Sequence, residues 1–302
     1  MIKEFNIVIN DPLLIDKRLD LVLTNQTNLT RSHIKKYLDK LTVNGKKEKL
    51  SYKCRRGDSV FFSYLYEDNF KILPENIPID IVYEDENYII INKDNGIVTH
   101  PAKGNWSGTL LNGLLGLKKE LSNTNEEYRM GVVHRLDKDT SGLIILAKNN
   151  NAHTYLTDLF AKRKIKKYYK AITKGFVAPS IFTIENKIGR NPKNRKKMAV
   201  VNSKGKEAIT KVKVLKRLKG YSYLLIKLKT GRTHQIRVHL SNLGYPVLGD
   251  SIYGRKNKTY NNIKLCLVSF RLSFFDKFSN KIIDVRIDLP KHLKKVISEC
   301  KM

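Results

Sequence analysis

Apolar positions along the chain switch between helical and alternating spacing, and the switches divide it. Leu19, Val22 and Leu23 fall at helical intervals. Ile34, Tyr37, Leu38 and Leu41 form a second stripe that predicts a helix over 34–41, with Thr30 and Ser32 as available N-caps. Val43-Asn44-Gly45-Lys46 carries the Asn-Gly signal of a two-residue hairpin, and Arg56-Gly57-Asp58 marks a turn before the strand-like Ser59-Val60-Phe61-Phe62. These predict a small N-terminal α/β module over residues 1–62. Residues 63–78, with several acids, Pro74 and Pro78, read as a linker. Strands then predominate: 81–83 and 88–91 around the acidic turn 84–87, the apolar run 142–147, the aromatic and basic 164–172, and 224–228. Helical stripes interrupt them at Leu110, Leu111, Leu114 and Leu115, and at Ala152, Tyr155, Leu156, Leu159 and Phe160. A last stripe, Ile236, Leu240 and Leu243, has Thr233 as a cap and Gly244 with Pro246 as a stop. Strands mixed with few helices predict an α+β domain over 79–290, followed by a short basic amphipathic tail over 291–302.

Composition adds a charge anomaly. The 302 residues suffice for two domains with a sizeable core, and 58 Lys and Arg against 28 Asp and Glu leave a net charge of +30. The excess is uneven. Residues 162–170 hold six basic side chains and no acid, and residues 187–219 hold thirteen against Glu207 alone, while 67–94 is net acidic. Clustered positive charge points to a polyanion, because each phosphate neutralised by Lys or Arg releases a condensed counterion. The basic stretches lack the long apolar face of a membrane-surface helix, and no apolar run approaches the ~20 residues that span a bilayer. The short alternating stretch with Glu4 and Asp11 does not read as a signal peptide. Cys54, Cys266 and Cys300 are odd in number and widely separated, which suits reduced thiols in the cytoplasm and argues against a disulfide framework or a metal site.

Three stretches set polar, turn-forming residues directly against apolar runs: 92–101 with Gly104, Gly108 and Thr109; His134-Arg135-Leu136-Asp137-Lys138-Asp139-Thr140-Ser141-Gly142; and Thr230-Gly231-Arg232-Thr233-His234-Gln235-Ile236-Arg237-Val238-His239. The first has no Gly-x-x-x-x-Gly-Lys and is not a nucleotide P-loop. Trp106, the only tryptophan, reads as a packing residue. His234 and His239 are five apart, wrong for two ligands on one helical face, and read as hydrogen-bonding or capping residues. Asp137 fits a turn or cap. It also fits a semi-buried carboxylate partnered by Arg135 or Arg237, which is a plausible nucleophile towards an electrophilic base or sugar.

The second stretch, ending in Ala147-Lys148, resembles the catalytic motif of RluA-type pseudouridine synthases. The resemblance continues through His100-Pro101, Gly104-Asn105 and Gly108-Thr109, then Lys167-x-Tyr169-x-Ala171-x-x-x-Gly175, residues 230–239, and Gly244-x-Pro246-x-x-Gly249-Asp250-x-x-Tyr253-Gly254. Separately, Arg18-Leu19-Asp20, Leu29-Thr30-Arg31-Ser32, Val43-Asn44-Gly45-Lys46 and Gly57-Asp58 resemble the alpha-L RNA-binding motif. The resemblance implies a mixed, mostly antiparallel catalytic sheet with a basic active-site cleft, isomerising uridine to pseudouridine in RNA, most simply large-subunit ribosomal RNA. Asp137 would be the catalytic carboxylate, Arg237 its ion-pair partner, and Tyr169 the residue packed on the uracil. Arg135 would fill the gap left by the flipped base, since flipping costs a few kcal/mol. His134, Arg232 and His234 would contact RNA in the cleft, and Arg31, Lys35 and Lys46 would contact it from the front module. Neither a metal nor a cofactor is implied, and a cytoplasmic monomer is expected. Asp94 departs from the family's usual Pro, Val268-Ser269 from His-Ala, and Asp276-Lys277 from His-Pro. The alternatives are a small-subunit ribosomal or transfer RNA synthase, or a non-catalytic RNA-binding assembly factor. Chemistry separates the last, because mere binding has no need of Asp137, Tyr169 and Arg237 together.

Overall fold

The computed structural model describes residues 2–27, 31–65, 72–102, 104–123, 129–194, 197–254, 260 and 262–300, with the side chains of Ser32, His33 and Lys36 left out. The chain forms two compact units: residues 1–72 with 123–128, and residues 73–122 with 129–302.

The front unit is a four-stranded antiparallel sheet in the order β1 (Ile2–Val8), β4 (Ser59–Leu65), β2 (Leu38–Val43), β3 (Lys46–Lys47), with helices α1 (Leu19–Thr27) and α2 (Arg31–Tyr37). The expected helix over 34–41 therefore ends at Tyr37. Pairing of Leu41 with Phe62 and of Val43 with Val60 recruits the rest of the stripe into the sheet, and Leu41 and Val43 still enter the same core as Ile34. Thr30, one of the expected caps, lies outside the described residues. The Asn44-Gly45 hairpin forms with both residues at positive φ, as this turn type requires. The motif acids hold the module together. Asp20, nearly buried, takes Arg18 at 3.0 Å and Arg31 at 2.6 Å. Asp58 accepts from Asn44, Tyr52 and the Arg55 amide.

The second unit is α+β, built on a ten-stranded sheet. Its strands are β5 (Ile81–Glu84), β6 (Tyr88–Lys93), β7 (Ser141–Ala147), β8 (Lys166–Lys174), β9 (Ile181–Arg190), β10 (Met198–Val200), β11 (Lys206–Leu218), β12 (Tyr221–Leu228), β13 (Leu267–Asp276) and β14 (Lys281–Arg286). They run in the order β10-β9-β11-β12-β8-β13-β7-β6-β5, with β14 also on β13. Pairing is antiparallel except between β13 and β7. Helix α4 (Asn150–Ala161) lays Ala152, Leu156 and Leu159 on Leu143, Ile145 and Leu272, while α5 (Gln235–Asn242) packs against β10 and β11. Helix α3 (Leu110–Gly116) starts on a capping box between Thr109 and Asn112.

Three expected boundaries move. Residues 63–65 belong to β4, and the segment from 73 onwards packs on α3: Asn112 donates to the Leu73 carbonyl, and the Gly108 amide donates to the Glu75 carboxylate. Residues 66–71 of the expected linker lie outside the described residues. The C-terminal tail is helix α6 (Lys291–Glu299), whose Leu293 and Val296 are fully buried with Ile172 and Val268. A four-residue apolar side and a receptive sheet face make it part of the core. Trp106 is 46% exposed and does not pack inside. Among the described residues no helix is long and apolar enough to cross a membrane.

Candidate active site

All three polar stretches meet at one end of the second unit's sheet. The loop before β7 carries Asp137, and residues 93–99 clamp it. Lys93, fully buried, donates its ammonium to the carbonyls of Asp94 (2.7 Å), Ile97 (2.9 Å) and Lys138 (3.1 Å). Asn95 donates to the Asp139 carbonyl, Gly96 N–H to the Lys138 carbonyl, and Thr99 to the Leu136 carbonyl. Burial pushes the Lys93 ammonium down to about 8, while the charges of Asp137, Asp139 and Asp94 pull the other way. Such a loop is rigid because its backbone carbonyls are satisfied by a buried cation.

Arg237 approaches from α5. It is 2% exposed and donates Nε and one terminal amine to the two oxygens of Asp250, both at 2.8 Å. Asp250 also accepts the amides of Ile252 and Tyr253. Burial opposes both charges, but the mutual hydrogen bonds and attraction outweigh it, so the arginine is raised and the aspartate lowered from their ordinary values. The remaining amine of Arg237 stands 3.5 Å from Asp137 Oδ2. Arg237 is thus aimed at Asp137 by a second carboxylate, and Asp137, 16% exposed, keeps one side open to the cleft. His234 Nε2 lies 3.9 Å from the other Asp137 oxygen, and its Nδ1 pairs with the Tyr253 hydroxyl at 2.8 Å. Burial lowers the His234 imidazole from its ordinary value, against the pull of Asp137.

The start of α5 differs from expectation. Its N-cap is His234 in the left-handed region (φ 56°), with no side-chain cap from Thr233. Gln235 supplies the polar contacts instead: its carbonyl accepts from Thr230 Oγ1 and the Arg232 amide, and its amide donates to the Ile209 carbonyl and Thr210. A left-handed non-glycine residue costs about 1–3 kcal/mol and persists only where its surroundings hold it, as they do here against Asp137.

The cleft beside Asp137 has a volume of about 440 Å³, in the range of small-ligand sites. Tyr169, 5% exposed, is part of its floor, and burial raises its phenol well above the ordinary range. Lys167 lines it beside Phe160, and burial brings its ammonium down to about 8. Arg135 is exposed on the cleft wall. Arg232 also lines the cleft and is tethered through Nε to the Glu207 carbonyl. His134 lines the wall, but its Nε2 accepts the Ile145 amide at 3.1 Å and its ring packs 4.6 Å from Phe160, so it braces the loop onto β7. His239, behind the site, pairs with Thr210 and is held down to about 4 by burial. Arg31, Lys35 and Lys46 belong to the front unit; all three are exposed, Arg31 while paired with Asp20. Asp250, Tyr253, Lys93 and Lys167 were assigned no role from sequence. Each stands in a quoted stretch or motif, but only tertiary contact connects it to Asp137.

A carboxylate faced by a fixed arginine, over an aromatic floor and among cations, suits one nucleotide of a polyanion drawn out of its stack. That is the class of base-extruding RNA-modifying enzymes. The profile of the RNA pseudouridylate synthase family matches residues 87–242, and the chain belongs to that family. It is an RNA pseudouridine synthase, an isomerase. Over 296 residues it is 40% identical to an uncharacterized RNA pseudouridine synthase of Aquifex aeolicus, covering 94% of this chain and 93% of the other. Over 295 residues it is 39% identical to ribosomal large subunit pseudouridine synthase D of Neisseria meningitidis serogroup B, covering 93% and 78%. Among solved structures, human RNA pseudouridylate synthase domain containing 1 superposes with a TM-score of 0.58 at 26% identity, covering 74% of this chain and 95% of that one.

Proposed function

We propose that this enzyme isomerises specific uridines of large-subunit ribosomal RNA, with Asp137 as the catalytic carboxylate. The observation that carries this is the Asp250–Arg237–Asp137 relay, in which a buried arginine is aligned by one acid so that its free amine faces another. The substrate is supported by the N. meningitidis relative, whose name states it. In this reading the target uridine is flipped into the cleft, its uracil lies on Tyr169, and Arg135 takes the vacated space. Lys167 and Arg232 lie on the phosphate side. Asp137 acts as an anion, by addition to the base or by taking a proton from the sugar. The C–N glycosidic bond breaks, the uracil turns, and a ring carbon bonds to the sugar; the proton that carbon loses is balanced by the one the ring nitrogen gains. His134 acts by bracing the Asp137 loop. The site is complete within one unit of one chain, which suits a monomer, and three buried free cysteines suit a reducing cytoplasm.

The test is Asp137→Asn, assayed on large-subunit ribosomal RNA from cells lacking the protein. The amide keeps the shape without the anion, so turnover is expected to fall at least a thousandfold with RNA affinity within about threefold of the parent. Near-parental turnover in the variant would rule out the mechanism. Parental protein that restores no pseudouridine to that RNA would rule out the substrate.

A further inference from the structure

Strand alternation divides the basic stretch 162–170 between two surfaces. Lys167 and Tyr169 face the cleft, so their neighbours Tyr168 and Lys170 face the opposite side of the sheet. On that side the register brings together one row across five strands: Lys211, Lys227, Tyr168, Arg271 and Arg286. A second row places Lys213 beside Leu225 and Lys170. The first row crosses four strand spacings, about 19 Å. Helix α6 covers the neighbouring part of this face, over Ile172 and Val268, and leaves the lysines outside its contact: Lys211 and Lys213 are exposed, Lys170 and Lys227 half-exposed.

The cations are held in place. Lys227 Nζ stands 5.4 Å over one side of the Tyr168 ring system and the Arg271 guanidinium 5.2 Å from the same ring. Lys170 Nζ lies 4.5 Å over Phe270 and 5.9 Å from Tyr223. Of the acids nearby, Asp284 is shared by Arg271 and Arg286, Asp288 is paired with Lys294, and Glu185, opposite Ile209 on the adjacent β9, lies diagonally across from Lys211. Lys170, Lys211, Lys213 and Lys227 have no salt bridge among the described residues. With its aromatic rings already engaged by cations, the face offers charge but no free platform for stacking a base.

We propose that this back face of the catalytic sheet is a second RNA-binding surface, taking the sugar–phosphate backbone of the substrate outside the target nucleotide. The inference rests on the reading of the protein as an RNA-modifying enzyme. Charge complementarity selects the occupant: a row of spaced cations with no base-reading group matches phosphates and adds position without sequence preference. The face therefore sets affinity for long RNA and leaves the chemistry in the cleft untouched.

The experiment uses the full chain with K211Q/K213Q/K227Q, beside a charge-matched control, K118Q/K204Q/K281Q, made of exposed lysines outside the two rows. The probes are purified large-subunit ribosomal RNA, a twelve-residue oligouridine and phosphatidylglycerol vesicles. The back-face variant is expected to bind ribosomal RNA at least tenfold more weakly at 0.1 M salt, and its log–log salt slope to flatten by about 2–3, near 0.7–0.9 per lost contact. Oligouridine binding, turnover at saturating RNA and the melting temperature stay parental. The control shifts ribosomal RNA binding less than threefold. Equal losses in both triple variants, an unchanged salt slope, or a defect confined to the vesicles would each overturn the proposal. The binding arm decides this even if ribosomal RNA proves not to be the modified substrate.

Discussion

Arg237 shows how little of a residue's role its type conveys. A buried guanidinium costs free energy unless paired, and Asp250, not Asp137, makes the close bidentate pair. Asp137 receives only the third amine, at 3.5 Å, and so stays available to a substrate. Arg237→Lys keeps the charge but loses the planar fork, so it cannot satisfy Asp250 and face Asp137 together. Turnover is expected to drop on the order of 100-fold or more, and stability by about 3 kcal/mol, read from steady-state kinetics and urea denaturation. Lys167 gives a pH signature. Its ammonium is pushed down to about 8, so the cleft loses a positive charge as pH rises through that value. RNA affinity is expected to weaken between pH 7 and 9, measured at constant salt. Lys167→Arg, charged throughout that range, is expected to flatten the profile; a parental profile already flat would remove Lys167 from the phosphate side.

At the scale of elements, the site depends on junctions. Gly142, the second residue of β7, lies where that strand meets β13, with φ of +105° and an added Cβ only 2.3 Å from the Ser269 carbonyl oxygen. A methyl group there must push apart the one parallel pairing of the sheet, two residues from Thr140 on the Asp137 loop. Gly142→Ala is expected to destabilise the enzyme by about 2–4 kcal/mol and to cut turnover well beyond any effect on affinity, checked by thermal unfolding and kinetics. The departures from the family pattern also act at this scale. Asp276 is buried at the end of β13, where it accepts from Tyr88 and from Ser279, closing the β13–β14 turn. Ser269 sits opposite Tyr169 in the register, behind the cleft floor.

For the whole molecule, the catalytic unit contains the complete cleft, and the front unit has its own core around Leu19, Ile34 and Phe62. Removing residues 1–65 is expected to leave a folded enzyme that still forms pseudouridine. At limiting RNA it should be slower and less selective among sites, because a tethered second contact raises the effective concentration at the first. Thermal unfolding and pseudouridine mapping of the truncated protein check this; parental rate and site choice would exclude tethering.

What the amino-acid sequence determined by itself was local or compositional. Alternation and helical stripes located five of the ten strands of the second unit and three of its four helices, Asn44-Gly45 set the hairpin of the front unit, charge implied a polyanion, and the motif around Asp137 resembled one family. The helix expected over 34–41 stops at Tyr37 because pairing with β4 draws Leu38 to Val43 into the sheet, a non-local contact that the helical stripe does not show. The linker and tail were misjudged for a related reason: polar and proline-rich composition does not reveal that α3 waits for Glu75 or a sheet face for Leu293. Tertiary structure alone decided that Asp250 aligns Arg237, that Lys93 clamps the Asp137 loop from 44 residues away, and which lysines face the cleft. Those facts depend on distances between segments remote in the chain, and a periodicity or a motif carries no distance.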